Sequence, residues 1–340
     1  MNVAAGRAPL RVLIVKLSSL GDVVHAMPVV NDIRAVHPEA LIDWVVEPGF
    51  APLVRRVDGM HTTIECALRR WRKAWWTAET RREWRAFRQH LGAQHYDVVI
   101  DLQGLTKSAL IARLAHGVSH GLANRTDGSS FEMPARWLVD HAIRIAPHTH
   151  ALDRSRLLAA QALGYTLQGP PRFGLHSDLH SGLPSRASAV AYRTVVFVHG
   201  TSRNDKLWPE PHWIALGRQL MAQGWRLALP QGDAEERLRA ERIAAALGGG
   251  CEVWPAMDLA VLTDRMSATQ GAIGVDSGLS HIAVALNLPH VQIYNFPTAW
   301  RTGPQASHGH RHQVSVQGQP TPAVAAVWDA WQQVQAVAAP

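Results

Sequence analysis

The chain has 340 residues, 47% of them hydrophobic and 18% charged, with 26 Gly, 20 Pro and a net charge of +7. This is the composition of a globular protein of about two domains, at roughly 100–200 residues per domain, and it excludes a disordered chain. Two cysteines, Cys66 and Cys251, cannot build a disulfide framework and point to a reducing compartment. No apolar run reaches the ~18 residues of a membrane-spanning helix.

The first apolar run is Arg11-Val-Leu-Ile-Val-Lys16, of the buried-strand type. Arg11 and Lys16 break the stretch from Leu10 to Leu20, which lacks a signal-peptide layout. A polar loop, Leu17-Ser-Ser-Leu-Gly-Asp22, precedes a helical pattern over Val23–Val36. The loop has one glycine only, and no GxGxxG or GxxxxGK[ST] cradle follows, against a dinucleotide dehydrogenase or P-loop NTPase. Asp22, beyond a strand end, is a candidate general base; the same position also suits a helix cap.

Further strands are expected at Leu41–Val46 and Asp97–Asp101. Residues 1–180 carry 22 Lys and Arg against 16 Asp and Glu, whereas residues 181–340 carry 12 against 11, so the positive excess lies in the first half. Between Arg69 and Arg88 eight basic residues meet two acidic ones, interleaved with Trp71, Trp75, Trp76, Trp84 and Phe87. Such a stretch suits a polyanion: nucleic acid, an anionic membrane, or a phosphorylated and carboxylated substrate. Arg81, Arg82, Arg85 and Arg88 also fit the solvated face of an amphipathic helix, Glu83–Leu91. Arg69, Arg70, Arg72 and Lys73 are four cations in five positions with no adjacent acidic residue, which favours anion binding there.

Leu167–Ser188, rich in Gly and Pro, reads as a linker. The second half repeats the pattern of the first, with a strand Thr194–His199, the loop Gly200–Pro209 and a helix Glu210–Gln223. Strands follow at Arg226–Pro230, Gly271–Val275 and His290–Tyr294. Apolar runs alternating with helices predict two doubly wound, Rossmann-like α/β domains, with ligands at the strand carboxyl ends in a cleft between them. In the loop Gly200-Thr-Ser-Arg-Asn-Asp-Lys206, Lys206 suits phosphate oxygens and Thr201 and Ser202 supply hydroxyls. In Gly274-Val-Asp-Ser-Gly-Leu-Ser-His281, Asp276 and Ser277 suit a cap of a helix starting near Leu279. There Gly278 permits close backbone approach, and free amides at the helix start would hold a pyrophosphate beside His281. No HExxH occurs; the His308-Gly-His-Arg-His312 cluster, in a Gly/Gln-rich loop, could scavenge metal but is not expected to be a functional metal site. Thr321–Ala338 reads as a terminal helix with an apolar face that includes Val324, Val327, Trp328 and Trp331.

Arg11–Asp22, Arg69-Arg-Trp-Arg-Lys-Ala-Trp75, Asp101-Leu-Gln-Gly-Leu-Thr-Lys-Ser108, Thr201–Pro209 and Val275–His281 together resemble the ADP-heptose:lipopolysaccharide heptosyltransferases, in that family's order along almost the whole chain. The Arg-Arg-Trp-Arg-Lys stretch favours the type I branch over type II. The resemblance implies a glycosyltransferase-B fold, with residues 1–180 as an acceptor-binding domain and 181–320 as an ADP-heptose-binding domain. Residues 321–340 would form a helix packing back on the N-terminal domain. It implies metal-free, inverting transfer of L-glycero-D-manno-heptose from ADP-heptose to the first Kdo of Kdo-lipid A. Asp22 would be the base. The donor would be bound by Thr201, Ser202, Lys206, Glu235, Met257, Asp276, Ser277, Gly278 and His281. Kdo carboxylates and lipid A phosphates would meet Arg69, Arg70, Arg72 and Lys73, with nearby tryptophans resting at the membrane interface. A monomer on the cytoplasmic face of the inner membrane is expected, with no nucleic acid and no cofactor. Three departures stand out: Ser277 replaces a commoner threonine, Gln231 a usual tryptophan, and Tyr294–Trp300 a loop that normally includes Thr-Asp-Pro. Type II activity on heptosyl-Kdo-lipid A is the nearest alternative; a nucleic-acid-binding protein is a remoter one.

Overall fold

The computed structural model describes residues 8–177 and 193–338, which divide into two units, Met1–Gly174 and Leu175–Pro340. In the first, β1 (Arg11–Val15), β2 (Leu41–Val46), β3 (Met60–Glu65), β4 (His95–Asp101), β5 (His116–Leu122) and β6 (His141–Ile143) form one parallel sheet. Its order is β3-β2-β1-β4-β5-β6. In the second, β7 (Arg193–Val198), β8 (Trp225–Leu229), β9 (Cys251–Val253), β10 (Gly271–Val275), β11 (His290–Tyr294) and β12 (Gln313–Gln317) are again all parallel. The order β12-β11-β10-β7-β8-β9 is the same doubly wound arrangement. Chain order reverses between β1 and β4 and between β7 and β10, so adjacent loops diverge at those carboxyl ends and leave room for a ligand.

The central strands were legible because helices cover both faces: Val12, Leu13, Ile14 and Val15 are wholly buried, as are Ile273 and Val275. β3, β5, β6, β9 and β12 were not expected. They carry His, Thr, Ser, Gln or, in β9, Glu at or next to the sheet edges, where the apolar pattern weakens. The helix expected over Val23–Val36 is two, Leu20–Ala26 and Pro28–Val36. Pro28 lacks an amide donor and so begins a helix instead of continuing one.

The division falls after Gly174, a few residues before the expected 180, and residues 178–188 of the expected linker lie outside the described residues. The terminal helix, Val324–Ala338, packs on the sheet of its own unit. Its Val327, Trp331 and Val334 join a core with Val195, Phe197, Trp213, Leu227 and Ile293. Trp331 meets Trp225 edge-on at 5.5 Å and approaches Gly271 so closely that a Cβ there would lie 2.7 Å from its ring. An apolar helix face finds its cover on the sheet it lies beside, because an uncovered parallel sheet would expose large apolar area.

Candidate functional site

In the first unit the loops after β1 and β4 meet at the switch point. Asp22 stands in the first turn of Leu20–Ala26, three residues after the cap residue Ser19. Its Oδ2 accepts from Ser19 Oγ (2.8 Å) and Ser19 N (3.2 Å). Its Oδ1 lies 3.6 Å from Lys16 Nζ and 3.8 Å from Arg154 Nη2, the latter on helix Ala151–Leu163. Burial pushes the Asp22 carboxyl upward, but Lys16, Arg154 and the Ser19 hydroxyl outweigh it and hold the group well below the usual carboxylate range. Burial lowers the Lys16 ammonium from its ordinary value, against the attraction of Asp22. Lys16 Nζ also donates to Leu102 O at 3.1 Å. The Asp22 side chain keeps 37% exposure, so a substrate hydroxyl can reach it.

The Asp101–Ser108 motif supports this loop from behind. Asp101 Oδ1 accepts from the amides of Gln103 (2.9 Å) and Gly104 (3.3 Å), and Oδ2 from Ser108 Oγ (3.0 Å). Gln103 Oε1 in turn accepts from Leu17 N and Ser18 N. Burial raises Asp101 to about 6 despite these bonds. Sequence reasoning missed Arg154: it lies far along the chain from Asp22, and only the packing of helix Ala151–Leu163 on the first two helices brings it there.

The basic window divides. Trp71, Trp84 and Phe87 turn inward, with ring centroids 5.5–5.7 Å apart. Trp75 and Trp76 stay 68% and 60% exposed, so only they are available to a partner. Helix Leu68–Lys73 leads into Ala78–Gly92, which Thr77 caps by accepting from Thr80 N at 3.2 Å. The absence of acidic compensation is corrected: Glu83 on the second helix accepts from Arg70 Nη2 (2.7 Å) and Trp71 Nε1 (2.6 Å). Arg69, Arg72 and Lys73 are exposed at the carboxyl end of edge strand β3, on the same edge of the sheet as Asp22.

In the second unit the loops after β7 and β10 converge on Asp276. Lys206 Nζ donates to its Oδ2 at 2.6 Å, Thr201 Oγ1 to its carbonyl at 3.1 Å, and Thr302 Oγ1 to its Oδ1 at 3.4 Å. His281 Nε2 lies 3.6 Å from Oδ1. Burial alone would raise Asp276; His281 and Lys206 hold it well below the usual carboxylate range. Ser277, and not Asp276, is the cap of helix Gly278–Ala285; it makes no side-chain capping bond, and its buried Oγ has no partner. The first-turn amides of a helix have no intrahelical acceptor, so this end presents free donors and the positive end of the dipole. Asp276 is thus engaged with Lys206 and His281, while Ser277 and Gly278 stand at the start of the helix. Ser202 is exposed in the loop after β7, and Met257 is half-buried after β9.

Glu235 lies at the surface of helix Ala234–Leu247. Its side chain is 71% exposed and pairs with Arg239 at 3.5 Å. The inward residue is Glu236, whose Oε2 accepts from Gly232 N at 2.8 Å. A Cβ on Gly200 would lie 2.1 Å from its Oε1, so Glu236 occupies the carboxyl ends of β7 and β8. The signal was present: Asp233 caps helix Ala234–Leu247 and accepts from Glu236 N at 2.9 Å, the Asp-x-x-Glu spacing that folds the third residue back over the helix start.

A family model described as glycosyltransferase family 9 (heptosyltransferase) matches residues 84–326. Lipopolysaccharide heptosyltransferase 1 of Escherichia coli K12 is 41% identical over 287 residues, covering 84% of this chain and 88% of its own length. Lipopolysaccharide heptosyltransferase 2 of the same organism is 26% identical over 323 residues, covering 89% and 87%. A solved structure of E. coli heptosyltransferase WaaC with ADP superposes with a TM-score of 0.85 at 36% identity, over 96% of this chain and 100% of that one.

Proposed function

Because the chain belongs to glycosyltransferase family 9, the heptosyltransferases, we propose that it is a type 1 enzyme moving L-glycero-D-manno-heptose from ADP-heptose to the first Kdo of Kdo-lipid A, with inversion. The observation that carries the reading is Asp22, an ionised yet reachable carboxylate at the first switch point, in a chain much nearer to type 1 than to type 2 relatives.

Asp22 accepts the proton of the attacking acceptor hydroxyl. A carboxylate held so far below its ordinary pKa is a weak base, so proton transfer comes late, once the hydroxyl has bonded to the anomeric carbon and become acidic. Lys16 and Arg154 keep Asp22 ionised beforehand. On the second unit the diphosphate lies across the β7 and β10 loops. Ser277 Oγ, the amides at the start of Gly278–Ala285 and the Lys206 protons not given to Asp276 stabilise the charge that grows on departing ADP. Thr201, Ser202 and His281 border this position. An extended nucleotide would run along the adjacent loops after β10, β7, β8 and β9, with ribose beside Glu236 and the base toward Met257. Transfer on this account needs no divalent metal, since lysine and helix amides take its usual place.

Arg69, Arg70, Arg72 and Lys73 would bind the carboxylates and phosphates of the acceptor, with Arg70 already oriented by Glu83. Among the described residues no helix is long and apolar enough to cross a membrane. Exposed Trp75 and Trp76 beside these cations suit peripheral attachment of a monomer to the cytoplasmic face of the inner membrane.

The test is mass spectrometry of Kdo-lipid A and heptosyl-Kdo-lipid A, each incubated with ADP-heptose, protein and excess EDTA. One heptose added to Kdo-lipid A is expected. Transfer to the heptosylated acceptor alone would make the enzyme type 2, and loss of transfer in EDTA would overturn the metal-free account.

A further inference from the structure

The reaction described above gives no task to the segment from the end of β11 onward, residues 294–302. Asn295 is buried and uses its whole amide. Its Nδ2 donates to the carbonyls of Asp205 (3.0 Å) and Leu207 (2.9 Å), one on each side of Lys206. The two carbonyls fix which way the amide faces, and its Oδ1 accepts from Thr321 Oγ1 at 2.7 Å. Farther along, Thr302 Oγ1 donates to Asp276 Oδ1 at 3.4 Å and lies 3.2 Å from Tyr294 OH. The stretch from Asn295 to Thr302 therefore holds the backbone around the cation and touches the side chain of its carboxylate partner.

We propose that Asn295, with Thr302, is a positioning element for the Lys206–Asp276 pair: it clamps the Lys206 backbone so that Nζ meets Asp276 and a diphosphate oxygen together. The inference rests on reading Lys206 as a diphosphate ligand. Asparagine suits the task chemically, because two N–H donors must face two carbonyls while one oxygen accepts a hydroxyl. Aspartate would set a carboxylate against both carbonyl oxygens. Alanine would release the loop, and Lys206, a flexible side chain on a short 3-10 turn, would spread over several rotamers.

The experiment is a double-mutant cycle of Asn295→Ala and Lys206→Ala, read by calorimetric ADP affinity, by KM for ADP-heptose and for Kdo-lipid A, and by Tm. Asn295→Ala is expected to weaken ADP binding and raise donor KM about tenfold, the scale of one to two lost hydrogen bonds, with acceptor KM unchanged. In the Lys206→Ala background the same substitution should change ADP affinity less than about twofold, because its route of action is gone. Asn295→Asp should be at least as damaging as Asn295→Ala. Wild-type ADP affinity in Asn295→Ala, or a tenfold loss that persists without Lys206, would overturn the clamp. If Asn295→Ala does not fold, Thr321→Val carries the test by freeing only Oδ1. It should weaken ADP binding about threefold with Lys206 present and not without it, and equal effects in both backgrounds would overturn the proposal. A wild-type chain that fails to bind ADP would instead overturn the donor assignment itself.

Discussion

Replacing Asp22 by Asn removes one negative charge and almost no volume, so its consequences can be worked from the geometry. The carboxylate lies 3.6 Å from Lys16 and 3.8 Å from Arg154. At an effective dielectric near 20, each contact corresponds to roughly 4–5 kcal/mol of bare attraction. Water reaches 37% of the Asp22 side chain, and screening together with the hydration regained by the free charge reduces the net loss to about 1–2 kcal/mol. That is a fall in Tm of about 3–6 °C for a cooperative unit of this size. The chemistry should suffer far more: loss of a general base lowers kcat by about 10²- to 10⁴-fold. ADP affinity should hold, since every group assigned to the nucleotide belongs to the second unit. Single-turnover transfer to Kdo-lipid A, ADP calorimetry and thermal melting on one preparation separate the three effects. A variant that keeps kcat within tenfold of wild type would refute Asp22 as the base. So would equal losses of ADP affinity and rate. The low pKa adds a condition: activity should show no acid limb from Asp22 above pH 5, whereas a limb near 6 would implicate Asp101.

Glu236→Ala should weaken ADP binding about ten- to a hundredfold if a charge-assisted bond to ribose is lost, while Glu235→Ala leaves it unchanged; the reverse pattern in calorimetry would restore Glu235. Asp101 is raised to about 6, so its neutral form is favoured by folding; that stabilisation is complete below the unfolded value near 3.8 and is lost as pH rises through about 6. Asp101→Asn should therefore flatten the Tm profile between pH 4 and 7, and a wild-type and variant that melt in parallel would contradict it. Trp331→Ala empties a wholly buried site between the terminal helix and the second sheet and should cost about 3–5 kcal/mol, checked by denaturant melting; a loss under 1 kcal/mol would mean that the helix is not part of that core.

Sequence alone determined what local chemistry controls. Runs such as Arg11–Val15 and Gly271–Val275 are apolar because both faces of a parallel strand are covered, and that signature survives in one dimension. The loops that follow them, with Asp22, Lys206 and Ser277, were legible for the same reason: a strand end, a polar turn and a helix start are consecutive in the chain. Edge strands such as β9 and β12 escaped because half-exposed positions tolerate polar side chains.

Tertiary structure decided which groups share a charge. Arg154 on Asp22, Glu83 on Arg70 and Asp276 on Lys206 join residues distant in sequence, and electrostatic partnership falls off with distance in space and not along the chain. It decided too that Glu236 turns inward while Glu235 faces solvent, a matter of about 100° of helical phase between neighbours. The terminal helix found its seat on the second sheet for a related reason: an apolar face specifies that it must be buried, and only the packed elements specify against what.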